Sequence, residues 1–187
     1  MQINEKIEFY FKVLARFDQY IQLANTKASN QITLLSSLLV AVTALVGWGI
    51  DIKKLGQLEP QPLICIAVIV YIFFLLFSYC WYKSCMKVIQ PNRSSSKNLL
   101  DITNESDLST MFYKDIDRYE SAHNFKTKVQ NSNELDLLND LLSQVHVMAY
   151  VTNKKFDDYE AISKWVTWVI LCALLILLIT TVIKTGG

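Results

Sequence analysis

Three stretches of the chain contain no Asp, Glu, Lys, Arg or His: Gln31 to Ile50, Gln61 to Tyr82 and Trp165 to Ile183, of 20, 22 and 19 residues. A hydrocarbon core of roughly 30 Å needs about 20 helical residues to cross it, so each stretch is long enough to span a bilayer. Backbone groups in lipid must bond within their own segment, and the alternating pattern of a membrane β-strand is missing from all three. The fold class that follows is an all-α membrane protein: three transmembrane helices with long helical cytoplasmic extensions and a small helical cytosolic domain. Composition agrees, since 52% of the residues are hydrophobic and 19% charged, against about a quarter charged in an ordinary soluble domain.

Orientation is read from the cations beside the spans. Arg16, Lys27, Lys83, Lys87, Arg93, Lys97, Lys154, Lys155 and Lys164 lie on the side of the N-terminus, and only Lys53, Lys54 and Lys184 lie opposite. That bias predicts a cytoplasmic N-terminus. The chain then divides into a cytoplasmic amphipathic helix (1–30), a first span (31–50), an external loop (51–60), a second span (61–82), a cytoplasmic domain (83–162), a third span (163–183) and an external tail (184–187). Some 30 residues bearing seven charges precede the first span, unlike a cleaved signal peptide, so the N-terminus is expected to be retained. Trp48, Trp81, Tyr82 and Trp165 fall at span ends, where interfacial aromatics belong.

Outside the spans, Ile7, Tyr10, Leu14, Phe17, Ile21, Ala24 and Ala28 recur at alternating steps of three and four. The spacing predicts one helix face, capped at Asn4 and running unbroken into the first span. Leu135, Leu138, Leu142, Val145, Ala149, Thr152, Phe156 and Tyr159 repeat the pattern. They predict a second helix, capped at Asn131 or Ser132 and continuous through the third span. Pro91 ends the helix of the second span at about Gln90. Residues 92–98 read as a linker, and Asn104 to Tyr119 carries a short helical pattern capped by Asn104 or Ser106.

Several classes of chemistry are excluded. The chain has five Gly, with none between Gly56 and Gly186, so there is no phosphate-binding glycine loop, dinucleotide turn or nucleophile elbow. A net charge of +1 gives no reason to expect nucleic acid as a partner. Cys65, Cys80 and Cys172 sit inside spans and Cys85 just beyond one, which reads as apolar filler. His123 and His146 have no second ligand at helical spacing, so no metal is expected, and no other cofactor. Asp115, Asp117, Glu120, Asp136, Asp140, Asp157, Asp158 and Glu160 alternate with cations and read as a solvated face. Asp136 and Asp140 share a face, but nothing beside them suggests an electrophile, and the chain is not read as an enzyme.

Binding of a small anion is the better chemical reading. Arg93, Lys97, Lys114, Arg118, Lys126 and Lys128 are interleaved with Phe112, Tyr113, Tyr119 and Phe125, a mixture able to pair with a phosphate and stack on a base. The competing reading is a basic collar drawn to anionic lipid, with the aromatics packing the domain. If a ligand binds, Arg93, Lys97, Phe112, Tyr113, Arg118 and Gln144 are the candidate contacts. Asn25 and Lys27, just before the first span, are candidates for coupling that domain to the membrane; the alternative for Lys27 is a side chain reaching to headgroups.

Four motifs carry a family resemblance. Ala24-Asn25-Thr26-Lys27-Ala28-Ser29 resembles the Ala-Asp-Thr-Lys-Ala sequence with which the transmembrane effectors of Pycsar antiphage systems enter their first span. Val88-Ile89-Gln90-Pro91 is similar to their exit from the second, and Ser109 to Asp115 falls where they have a short aromatic stretch. Asp140-Leu141-Leu142-Ser143-Gln144-Val145-His146 through Lys154-Lys155-Phe156 resembles the long helix leading into their third span. Asn25 stands where the family has Asp, so a role needing negative charge there does not carry over. The resemblance covers nearly the whole chain. It implies that residues 83–162 form a sensor of cyclic CMP or cyclic UMP made by a partner pyrimidine nucleotide cyclase, and that the output is impairment of the inner membrane and abortive infection, through a homo-oligomer in the lipid bilayer. The alternative is a membrane anchor or accessory subunit, not gated by any ligand, that recruits a partner through its cytoplasmic helices.

Overall fold

The computed structural model describes residues 2–50, 62–91 and 108–185, with the side chains of Tyr113 and Lys114 left out. Of the described residues 89% are helical and none is in a strand. In chain order the helices are α1 (Ile3–Gly49), α2 (Pro62–Ile89), α3 (Tyr113–Ile116), α4 (Ala122–Asn131), α5 (Glu134–Glu160) and α6 (Ile162–Thr185). The expected loop 51–60, the linker 92–98 and the caps Asn104 and Ser106 lie outside the described residues.

Two compact units emerge from this order. One holds residues 24–90 and 156–187, the other residues 1–23 and 91–155, so α1 and α5 each contribute to both.

The first is the membrane unit. Its core joins Ala24, Ala28, Leu35 and Val42 of α1 to Phe74, Trp81, Cys85 and Val88 of α2 and to Ile162, Val169 and Ile176 of α6. The α1 residues continue the three-four spacing of the N-terminal seam, which is why a single helix face serves so long an element. Outward-facing residues are large and apolar, among them Val40, Leu76, Leu174 and Leu178, the reverse of a water-soluble bundle. Three helices are long and apolar enough to cross a membrane. The hydroxyls of Ser36 and Ser37 donate to the carbonyls of Ile32 and Thr33, so these two side chains are satisfied within their own helix. At one end Gly49 lies so close to Thr180 that an added Cβ would stand 2.6 Å from the Thr180 Cβ. Beside this contact the Lys184 ammonium sits 5.5 Å from the Trp48 ring centre, an aromatic and a cation together at a span end.

The second, extramembrane unit contains the start of α1, the short α3, α4 and most of α5. Ile7, Tyr10, Leu14, Phe17 and Ile21 are the half-buried residues of α1 here, joined by Val13, as the spacing predicts. The helix begins before the expected Asn4 cap. Glu5, three residues into the helix, accepts from the Gln2 backbone N–H at 2.9 Å, and this contact caps the start at Ile3. α4 is capped by Ser121, whose hydroxyl accepts from the Asn124 N–H at 3.1 Å.

Two details of the α5 region differ from the sequence reading. The cap is Asn133, not Asn131 or Ser132: its side chain accepts from the Asp136 N–H at 2.8 Å while Asp136 accepts from the Asn133 N–H at 3.1 Å. The buried face runs through Leu138, Leu141, Gln144, Val147, Val151, Thr152 and Lys155; Leu138 and Thr152 of the predicted seam lie on it, whereas Leu135 and Leu142 are exposed. Polar residues at 144 and 155 interrupt the apolar period along the true face, so a count of apolar residues selects a neighbouring stripe. As expected, the helical path runs on into the third span: Glu134–Thr185 forms one long helical stretch with a single turn residue at Ala161, whose N–H still donates to the Asp157 carbonyl at 3.2 Å.

Candidate functional site

Two segments that the sequence places 30 residues apart meet in the extramembrane unit. Leu108 to Phe112 is not helical, so its backbone groups need partners from elsewhere. The Ser109 hydroxyl oxygen accepts from the N–H groups of Met111 and Phe112, at 3.1 and 3.0 Å, which starts the turn of α3. Its proton is donated to Asp140 Oδ1 at 2.6 Å. Thr110 donates twice to the other carboxylate oxygen, from its backbone N–H at 2.7 Å and from its hydroxyl at 2.6 Å. One turn further along α5, Gln144 Nε2 donates to the same Ser109 oxygen at 3.0 Å. Residues four apart share a helix face, and Asp140 and Gln144 therefore close on the segment together.

The far end of the segment is pinned as well. Tyr119 donates its phenol proton to the Leu108 carbonyl at 3.1 Å and packs edge-on against Phe125, with ring centres 5.4 Å apart. Burial pushes the Tyr119 phenol above its ordinary pKa, and the negative charges of Asp140 and Asp115 push in the same direction. Asp115 is 1% exposed, and its Oδ1 lies 3.9 Å from the Arg118 guanidinium. Neither Asp115 nor Asp140 fits the expected solvated carboxylate face. Asp140 sits where short polar side chains and a backbone donor converge, and Asp115 is buried beside Arg118. Asp136 is spent on capping α5, so it and Asp140 do not form an acid and base pair.

The sequence-derived contacts fall unevenly around this cluster. Gln144 is buried, and its amide is engaged with Ser109. Phe112 is half-buried beside Ser109, and Arg118 is about half exposed beside Asp115. Tyr113 begins α3, with its side chain outside the described residues, as are Arg93 and Lys97 altogether. Ser109, Thr110 and Asp140, which do the clamping, were not among the candidates. Their signal in the sequence is faint: a Ser-Thr pair after a charged stretch, and one Asp among many.

In the membrane unit the motif around Lys27 has a steric reading. Ala24 and Ala28 are fully buried in the seam, where only a small side chain lets helices approach closely. Lys27 projects from the neighbouring face and lies 5.9 Å from the centre of the Tyr159 ring, and Asn25 is half-buried between the two alanines. Nearby, Lys87 of α2 forms an ion pair with Asp158 of α5 at 2.6 Å, and the Asp158 side chain is mostly buried. Among the described residues no group of His, Cys, Asp and Glu is arranged to hold a metal ion.

Comparison with known proteins gives one assignment. The profile of the Pycsar effector protein domain matches residues 9–184, a stretch that includes all three spans, both halves of the Asp140 clamp and the Lys27 motif. No curated protein and no solved structure matches the chain. With nearly its whole length covered, this chain belongs to the family of Pycsar effectors, transmembrane proteins of antiviral defence.

Proposed function

We propose that this effector binds cyclic CMP or cyclic UMP, supplied by a pyrimidine nucleotide cyclase, and responds by impairing the inner membrane so that infection aborts. It does so as a homo-oligomer with the N-terminus and residues 83–162 in the cytosol, and without catalysis of its own. The observation that carries this reading is the Asp140 clamp. The segment from Ser109 to Phe112 offers two hydroxyls and the Thr110 backbone N–H to a carboxylate, an anion with two equivalent oxygens. The two free oxygens of a cyclic phosphate have the same charge and similar reach, and charged acceptors make the stronger hydrogen bonds.

A phosphate that displaces Asp140 must compete with a carboxylate held in place by the fold, so it needs further contacts. Arg118 can pair with the phosphate, and Phe112 and Tyr113 lie on the same segment for stacking against a pyrimidine; Arg93, Lys97 and Gln144 complete the candidate set. Asp140 and Gln144 stand on the helix that the chain continues into α6, the third span. Release of the clamp therefore changes the packing of a helix joined to the membrane unit, where Asn25 and Lys27 are the coupling residues. A ligand shifts such an equilibrium only through unequal affinity for its two states.

The test is thermal stability of the full-length purified protein against a panel of cyclic mononucleotides. A ligand at 100 times its Kd stabilises the state it binds by roughly 2.7 kcal/mol. Cyclic CMP or cyclic UMP is expected to raise the melting temperature selectively, and the same nucleotide to depolarise vesicles holding the protein. A flat panel from folded protein defeats the sensor reading in favour of an ungated anchor.

A further inference from the structure

In the membrane unit a groove of 620 Å³ opens between α1 and the junction of α5 with α6. It lies at the level where charge gives way to apolar sequence. Lys27 precedes Gln31 on α1, and Asp157 and Glu160 precede Ile162 and Val166 on the other wall. That is the headgroup level of a bilayer.

The polar lining consists mainly of acceptors. Gln31 Oε1 is buried with no hydrogen-bond partner, a state that proteins rarely leave uncompensated. Ser163 donates its hydroxyl proton to the Glu160 carbonyl at 2.8 Å, and Thr167 donates its own to the Ser163 carbonyl at 3.1 Å. Both protons are thereby used within the helix, and the oxygens keep lone pairs for another donor. Asp157 and Glu160 add carboxylates. A groove of this kind suits a cation rich in N–H groups. Lys27, over the Tyr159 ring at the groove wall, places one positive charge within reach of an anionic neighbour of that cation. Ile162 and Val166 continue the wall in apolar form towards the bilayer interior.

We propose that this groove is a binding site for a phospholipid with a primary-ammonium headgroup. The ammonium donates to Gln31 Oε1 and to the carboxylate of Glu160, the phosphate pairs with Lys27, and the first methylenes lie along Ile162 and Val166. The site reads lipid identity through N–H donors and not through net charge. A trimethylammonium headgroup carries the same charge beside the same phosphate and has no N–H to give.

The experiment needs no nucleotide, so its failure and that of the sensor reading are separable. Full-length protein in detergent is mixed with equal amounts of phosphatidylethanolamine, phosphatidylcholine and phosphatidylglycerol, and the lipids retained are counted by native mass spectrometry. Phosphatidylethanolamine is expected to be retained roughly tenfold over the other two, the ratio that one well-made charged hydrogen bond supplies. Glu160→Gln and Gln31→Leu should each bring that preference down towards the level of phosphatidylcholine. Gln31→Leu also removes the buried acceptor, so it should leave the lipid-free protein at least as heat-stable as the parent and keeps the test readable if Glu160→Gln misfolds. Equal retention of phosphatidylethanolamine and phosphatidylcholine, retention led by phosphatidylglycerol, or a preference untouched by Gln31→Leu overturns the proposal.

Discussion

The membrane unit and the extramembrane unit both hold helical elements side by side, and they do it with opposite chemistry. In the membrane unit the closest approaches are made at Ala24, Ala28 and Gly49, where there is almost no side chain at all. In the extramembrane unit the decisive contact is a carboxylate that accepts three hydrogen bonds. The difference follows from the solvent. Lipid tails are as apolar as leucine, so burial alone does not favour one helix neighbour over another, and fit between backbones selects the packing. In water a partly buried carboxylate is costly unless its partners are in place, so the partners' positions become specified. The two units should therefore fail differently: one to an added methyl group, the other to a lost charge.

The largest effect is expected at the clamp. Asp140→Ala strands the Ser109 hydroxyl and both donors of Thr110, and a broken, partly buried, charged contact of this kind costs about 3 kcal/mol. Hydrogen exchange read residue by residue should show the Thr110 amide losing protection while amides in the core of α2 and α6 keep theirs. Unchanged exchange at Thr110 would falsify the clamp as the element that orders this segment, and with it much of the contrast between the units.

The complementary break is at Gly49. Its substitution by Ala puts a Cβ 2.6 Å from the Thr180 Cβ and 3.3 Å from the Thr180 Cα, an approach that neither backbone nor a β-branched side chain can relieve without moving. Overpacking at such a site costs about 1 to 3 kcal/mol. Gly47, two residues away, has nothing within 4 Å of the same added atom, and Gly47→Ala should be neutral or slightly stabilising because alanine is the better helix former. The pair is read by thermal denaturation in one detergent. Equal gains at both positions would show that helix propensity, not fit, sets stability there.

These two sites also mark how much the sequence disclosed. The spans were legible because lipid imposes a single demand, about 20 residues without charge, and the α1 seam because Ile7 through Ala28 keep strict spacing. The close approach of Gly49 was not legible: nothing local says that Thr180, 131 residues later, comes opposite it. The seam of α5 was only partly legible, at Leu138 and Thr152, because Gln144 and Lys155 are polar residues on the buried face. Likewise Asp140 looked like one more solvated acid, and only its distance from Ser109 and Thr110 distinguishes it. Periodicity reports where apolar groups repeat; it is silent about polar groups whose burial depends on a partner distant in sequence.

The smallest effect tests whether the polar order of the extramembrane unit extends to its rim. Tyr119 holds the Leu108 carbonyl through its phenol proton, with burial first, and then Asp140 and Asp115, raising its pKa above the usual 10. The folded protein thus keeps this proton more tightly than the unfolded chain does. The sign follows: the contribution is complete below pH 10, where both states are protonated, and declines as pH rises through the higher value of the folded state. Tyr119→Phe removes both the hydrogen bond and the titration, at a cost of about 1 kcal/mol near neutral pH. The stability difference between parent and Tyr119→Phe, from denaturant midpoints, should stay level between about pH 7 and about pH 9 and narrow above the ordinary tyrosine pKa of about 10. A difference that stays level through the alkaline range would mean that the phenol is as free to ionise in the fold as out of it. The negative charges of Asp115 and Asp140 would then be screened from Tyr119, and the clamp would be a local contact between Asp140 and two residues, with no reach to the end of the segment it holds.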